Sequence, residues 1–141
     1  MPVKKAQAIW DGELKTGKGT MEFESGAFKG AYTFASRFED GVGTNPEELI
    51  GAALAGCFSM ALSGDLGKQG YKPASVKTDA DVSLEMVDGA PTITTIQLTV
   101  QASVPEIKDE EFQEIANKTK KNCPVSRALK ANIMLKAELK A

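Results

Sequence analysis

The chain has no histidine, and only two of its 141 residues are cysteine. The first absence removes Ser-His and Cys-His nucleophilic pairs, because each needs an imidazole base. A zinc site drawn mainly from Cys and His would need four such ligands, and two are present. Excess charge is also missing. A net charge of −2 offers no general attraction for nucleic acid or an anionic membrane, so neither is expected as a partner. The longest apolar run, Leu49 to Leu62, is about 14 residues and falls short of the roughly 20 needed to span a bilayer. The opening Met1-Pro2-Val3-Lys4-Lys5-Ala6-Gln7 has no apolar core of a secretory signal, so a cytoplasmic location is expected. There thiols stay reduced, and a disulfide is more often transient and catalytic than structural.

What is present reads as one α+β domain over residues 1–141. Three short strands are expected first, at Ala6–Trp10, Gly19–Glu24 and Ala31–Phe38, the last from the alternation of Tyr32, Phe34, Ser36 and Phe38. Gly17-Lys18-Gly19-Thr20 reads as a turn, since it lacks the spacing of a phosphate loop. A helix follows: Asn45 is the N-cap, Pro46 the first helical residue, and Glu48 has capping-box spacing. To about Leu66 this helix is apolar on every side, the pattern of a helix buried all round. One chain has few elements with which to wrap it, so a second copy is expected to help cover it. Val76 to Met86 and Ile96 to Val104 alternate as two longer strands joined at Asp88-Gly89. Asp109–Lys121 is an amphipathic helix, with acids early and lysines late. Pro124 restarts a short helix with Cys123 at its N-cap, and Ile133 to Leu139 forms the last strand. The expected order is βββ-α-ββ-α-α-β.

The chemistry centres on the thiols. Cys57 alone reads first as a small packed hydrophobe, and function gains only with a charge partner. Arg37 is the candidate, a long cation among small residues on its expected strand; the plain alternative is a solvated strand-end arginine. One positive charge at about 4 Å, at an effective dielectric near 20, contributes about 4 kcal/mol, enough to make most of a nearby thiol ionise at neutral pH. Glu47 and Glu48 suit the first turn of a capped helix, and Glu47 is spare to pair with Arg37. Cys123 reads as an N-capping hydrophobe or as a second thiol able to trap an oxidised partner before overoxidation.

Thr44-Asn45-Pro46-Glu47-Glu48-Leu49 through Ala55-Gly56-Cys57-Phe58, with Asn122-Cys123-Pro124-Val125-Ser126, resembles the OsmC/Ohr family of thiol-dependent hydroperoxide reductases, its OsmC branch above all. Ala8-Ile9-Trp10-Asp11-Gly12, Arg37-Phe38-Glu39 and Leu129-Lys130-Ala131 extend the likeness along the whole chain. The resemblance implies an intertwined homodimer whose two β-sheets, each built from both chains, wrap central apolar helices. It makes Cys57 the peroxidatic cysteine and Cys123 the resolving one, with a Cys57–Cys123 disulfide between them. Arg37 would support the thiolate and Glu47 would hold Arg37. Organic hydroperoxides, favoured over hydrogen peroxide by Phe58 and Met60, would be the substrates. A dithiol or lipoyl-protein would be the reductant, with no metal, haem or flavin. A non-catalytic redox sensor and a ligand-binding stress protein are the other readings.

Overall fold

A computed structural model describes residues 1–140, and the chain divides into two units, Met1–Leu49 and Ile50 onward. In the first, β1 (Ala6–Asp11), β2 (Lys18–Phe23) and β3 (Lys29–Tyr32) form an antiparallel sheet in that order. Trp10 and Tyr32 stack with ring centroids 5.3 Å apart, both set opposite Gly19 by the register.

The expected third strand ends early. Residues Phe34–Phe38 are a short helix, α1, so Arg37 lies on a helix and not at a strand end. The cause is local. Thr33 adopts an extended backbone, its hydroxyl accepts from the Ser36 amide at 3.1 Å, and the Ser36 hydroxyl accepts from the Thr33 amide at 2.8 Å. This reciprocal capping box satisfies free donors of the first turn and overrides the alternating pattern. Ser36 also donates to the Thr44 carbonyl at 2.7 Å, tying α1 to the segment that leads into the next helix.

That helix, α2 (Pro46–Lys68), starts as Asn45 and Pro46 dictate. Asn45 Oδ1 accepts from the Glu48 amide at 2.7 Å. The Glu48 carboxylate does not close the box, however; it accepts from the Thr44 hydroxyl at 2.7 Å. α2 runs 23 residues, and its most apolar 18-residue stretch has a mean hydropathy of 1.5, enough to cross a membrane by length and composition only, a property that buried core helices share.

In the second unit, β4 (Ser75–Val87) and β5 (Ala90–Ser103) form the expected hairpin, turning through Asp88 and Gly89 at φ of 50° and 80°, the paired left-handed values of a two-residue hairpin turn. β6 (Asn132–Leu139) runs parallel to β5, giving the order β4-β5-β6. α3 (Asp109–Asn122) and α4 (Pro124–Ala128) connect β5 to β6. Leu54, Phe58, Leu62 and Leu66 recur along one face of α2 and are fully buried with Ile96, Leu98 and Val100 of β5 and Phe112 and Ala116 of α3. Each such aliphatic or aromatic side chain contributes about 1.5–3 kcal/mol by leaving water. Gly51 serves close approach: a Cβ there would sit 3.0 Å from Val82 Cγ2. The opposite face of α2 is not buried in the single chain. Ala52, Ala53, Gly56 and Gly64 are exposed there, and Met60 is 81% exposed.

Candidate functional site

The four expected site residues form two local pairs, one in each unit. In the first, Arg37 projects from α1 and Glu47 from the first turn of α2. Arg37 Nε and Nη2 both donate to Glu47 Oε1, at 3.0 and 2.8 Å. The glutamate side chain is nearly buried, and that of the arginine is about two-fifths exposed. Glu47 Oε2 is buried and has no hydrogen-bond partner among the described residues. The Arg37 guanidinium also lies over the Phe38 ring, 5.1 Å from its centroid. Two bonds to one oxygen fix the guanidinium plane, so the arginine is oriented as well as charged.

The second pair is Cys57 and Cys123, both free thiols. Cys57 follows the glycine of the exposed stripe on α2 and precedes fully buried Phe58, so it stands at the border of the core and is half-buried. Phe58 itself is enclosed in the core cluster and lines no surface, which removes it as a selector of organic substrates.

Cys123 is placed by its neighbour. A residue before proline is pushed out of the helical region. Cys123 accordingly has φ −65° and ψ 142°, ends α3 by donating its amide to the Thr119 carbonyl at 3.0 Å, and begins α4 by accepting from the Arg127 amide at 3.1 Å. This elbow leaves the residue 1% exposed, with its sulfur 3.0 Å from the Ser126 hydroxyl. The same elbow bears on Cys57: the Val125 main chain and the Cys123 side chain both act on its thiol.

Burial pushes the Cys57 thiol above its ordinary pKa; the Val125 amide pulls it down, and Cys123 adds to the rise. The groups of its own unit therefore favour the thiol over the thiolate, opposite to the ionised state expected from an arginine partner.

Cys123 and Pro124 also line one end of a groove of about 640 Å³ between α2 and α3, whose walls include Asp65, Lys68, Glu111 and Lys118. Asp65 is held there by the fully buried Thr119 hydroxyl, which donates to Asp65 Oδ2 at 2.7 Å.

Sequence reasoning did not single out Val125 and Ser126, which lie beside the thiols. The Val125 contribution is a main-chain amide and carries no side-chain signal. Ser126 did carry one, because it stands three residues after Cys123, the spacing at which an N-cap residue meets the first turn.

The model of the OsmC-like protein family matches residues 38–138. The chain is 52% identical over 139 residues to the peroxiredoxin OsmC of Escherichia coli, covering 98% of this chain and 97% of that protein. It is 34% identical over 102 residues to the organic hydroperoxide resistance protein OhrB of Bacillus subtilis, covering 72% and 74% of the two chains. Among solved structures, an OsmC-like protein from Vibrio cholerae superposes with a TM-score of 0.80 at 18% identity, over 98% of this chain and all of that one, a likeness of fold.

Proposed function

We propose a function from a fixed premise: this chain belongs to the OsmC family. It is a peroxidase that reduces organic hydroperoxides, and hydrogen peroxide more weakly, in defence against oxidative and osmotic stress. The reading is carried by the two free thiols that adjoin at the Cys123–Pro124 elbow. It is supported by relatives named peroxiredoxin and organic hydroperoxide resistance protein.

Cys57, as thiolate, attacks the distal peroxide oxygen. The O–O bond breaks, the alkoxide leaves as alcohol after taking a proton, and Cys57 becomes a sulfenic acid. Cys123 then attacks that sulfur, expelling water and closing a Cys57–Cys123 disulfide. A dithiol, free or lipoyl, reopens the disulfide by exchange. Neither metal nor organic cofactor takes part.

The thiolate needs a nearby positive charge, and the groups that set the Cys57 pKa include none. Arg37, oriented by Glu47, is assigned that role and the stabilisation of charge on the leaving oxygen. The active form is an intertwined homodimer, its two sheets built from both chains around the paired α2 helices, working in the cytoplasm. The open stripe of small residues and Met60 on α2 supports this assembly.

The raised pKa of Cys57 favours a second reading, a slow redox sensor that forms the same disulfide without turnover. One experiment separates them. Reduced protein receives one equivalent of cumene hydroperoxide, or of hydrogen peroxide, without oxygen. Fast loss of two thiols per chain and a linked Cys57–Cys123 peptide, quicker for the organic peroxide and catalytic with added dithiol, establishes the peroxidase. A single turnover leaves the sensor, and thiols unchanged over many minutes overturn both.

A further inference from the structure

We infer that Ser126 is a further catalytic residue of the resolving step: its hydroxyl holds the Cys123 thiol and hydrogen-bonds its sulfur as that sulfur attacks the Cys57 sulfenic acid. The inference rests on the thiol-peroxidase reading above and deepens it.

Disulfide closure makes unusual demands on Cys123. Its sulfur must shed a proton and turn nucleophilic, yet the residue is 1% exposed, so little water reaches the developing thiolate. The chain has no histidine to take the proton. Among the described residues, the Ser126 hydroxyl lies within hydrogen-bond distance of Cys123 Sγ, at 3.0 Å. Ser126 is itself 9% exposed. Its position follows from the elbow: Pro124 fixes the start of α4, and the third residue after Cys123 folds back over the thiol. A hydroxyl suits both stages, since it accepts from S–H in the resting thiol and donates O–H to sulfur as charge develops. Alanine would fill the same place if packing were the whole requirement.

The step balances without an outside reagent. The Cys57 S–O bond breaks and the Cys57–Cys123 S–S bond forms. The thiol proton of Cys123 combines with the departing hydroxide as water, and Ser126 ends with the proton count it began with.

The test follows one equivalent of cumene hydroperoxide through Ser126→Ala, Ser126→Thr and unsubstituted protein, by rapid quench and mass spectrometry across a range of pH. Ser126→Ala is expected to lengthen the life of the Cys57 sulfenic acid about tenfold, the worth of one charge-assisted hydrogen bond. It should also shift the inflection of closure to higher pH, which loss of packing alone does not do. Ser126→Thr keeps the hydroxyl and should close within about twofold of the unsubstituted rate. Ser126→Val, which has the shape of threonine without its hydroxyl, stands in should the alanine variant not fold, and is read against Ser126→Thr. Unchanged closure and pH profile in Ser126→Ala overturn the inference. So does an equal slowing in Ser126→Thr. If the unsubstituted protein forms no linked Cys57–Cys123 peptide, the peroxidase reading itself fails and takes this one with it, a result distinct from closure that ignores Ser126.

Discussion

The two units bury different chemistry. In the second, the fully enclosed side chains are mostly hydrocarbon: Leu54, Phe58, Leu62 and Leu66 of α2, with Ile96, Leu98 and Val100 of β5 and Phe112 of α3. In the first, the buried side chains are polar, namely Ser36, Thr44 and Glu47, and they are tied by hydrogen bonds rather than sealed by packing. Strand β1 is exposed along nearly its whole length, Ile9 included. One unit carries its own apolar core, while the other orients an arginine through a polar scaffold. The division matches the proposed work. A thiol pair that must meet and separate repeatedly is framed by a stiff core, and a cation that must face substrate is held where water still reaches it.

The comparison breaks hardest at the hydrocarbon core. Leu98→Ala removes a fully buried side chain from the central strand, where neighbours on both sides prevent collapse into the gap. It is expected to cost about 3 kcal/mol and lower the melting temperature by roughly 10 °C in calorimetry. A loss below about 1 kcal/mol would show that this core is looser than its burial implies.

The polar scaffold should yield less. Glu47→Gln keeps the shape but removes the charge that accepts both Arg37 bonds, and it places an amide N–H2 either against the guanidinium or at the unpartnered Oε2 position. About 1 kcal/mol is expected, because Arg37 is partly solvated. The peroxide reaction should fall far more than stability does, since an unoriented arginine no longer presents its charge. A parallel fall in both would make Glu47 merely structural. Thr33→Ala deletes one arm of the α1 capping box and is expected to cost about 1 kcal/mol in denaturant unfolding. A null result there would mean that the Ser36 bonds alone hold the turn.

These elements also show how far sequence reasoning reaches. The β4–β5 hairpin was readable because alternation and an Asp-Gly turn agree, and the Cys123 elbow because proline constrains the residue before it. α1 was not. Its period-2 pattern of Tyr32, Phe34, Ser36 and Phe38 signals a strand, and two side-chain bonds between Thr33 and Ser36 outweigh that signal. Glu48 had the right spacing for a capping box, yet Thr44 offered its carboxylate a hydroxyl. The pairing of Arg37 with Glu47 was anticipated from an acid left spare in the first turn. The direction of the Cys57 shift was not readable, because it depends on burial and on a main-chain amide brought from 68 positions away in sequence, Val125.

The smallest expected effect is also the one that bears most directly on the thiol. Cys57 has a folded pKa above its ordinary value, with burial the main cause. The folded state therefore holds its proton more tightly than the unfolded chain. The associated stability is fully present below the ordinary thiol pKa and is lost as pH rises through the folded value. Reduced Arg37→Ala protein, in which burial and the groups beside Cys57 act alone, should thus lose a small increment of stability from about pH 9 upward, and adding Cys57→Ser should remove that slope. Alkylation sharpens the point. In Arg37→Ala the burial, the Val125 amide and Cys123 act alone, so Cys57 labelling by iodoacetamide should have its inflection above about pH 9. In the unsubstituted protein Arg37 should bring it lower. Coincident curves would remove Arg37 as the source of the thiolate and leave Cys57 a slow thiol governed by its own unit.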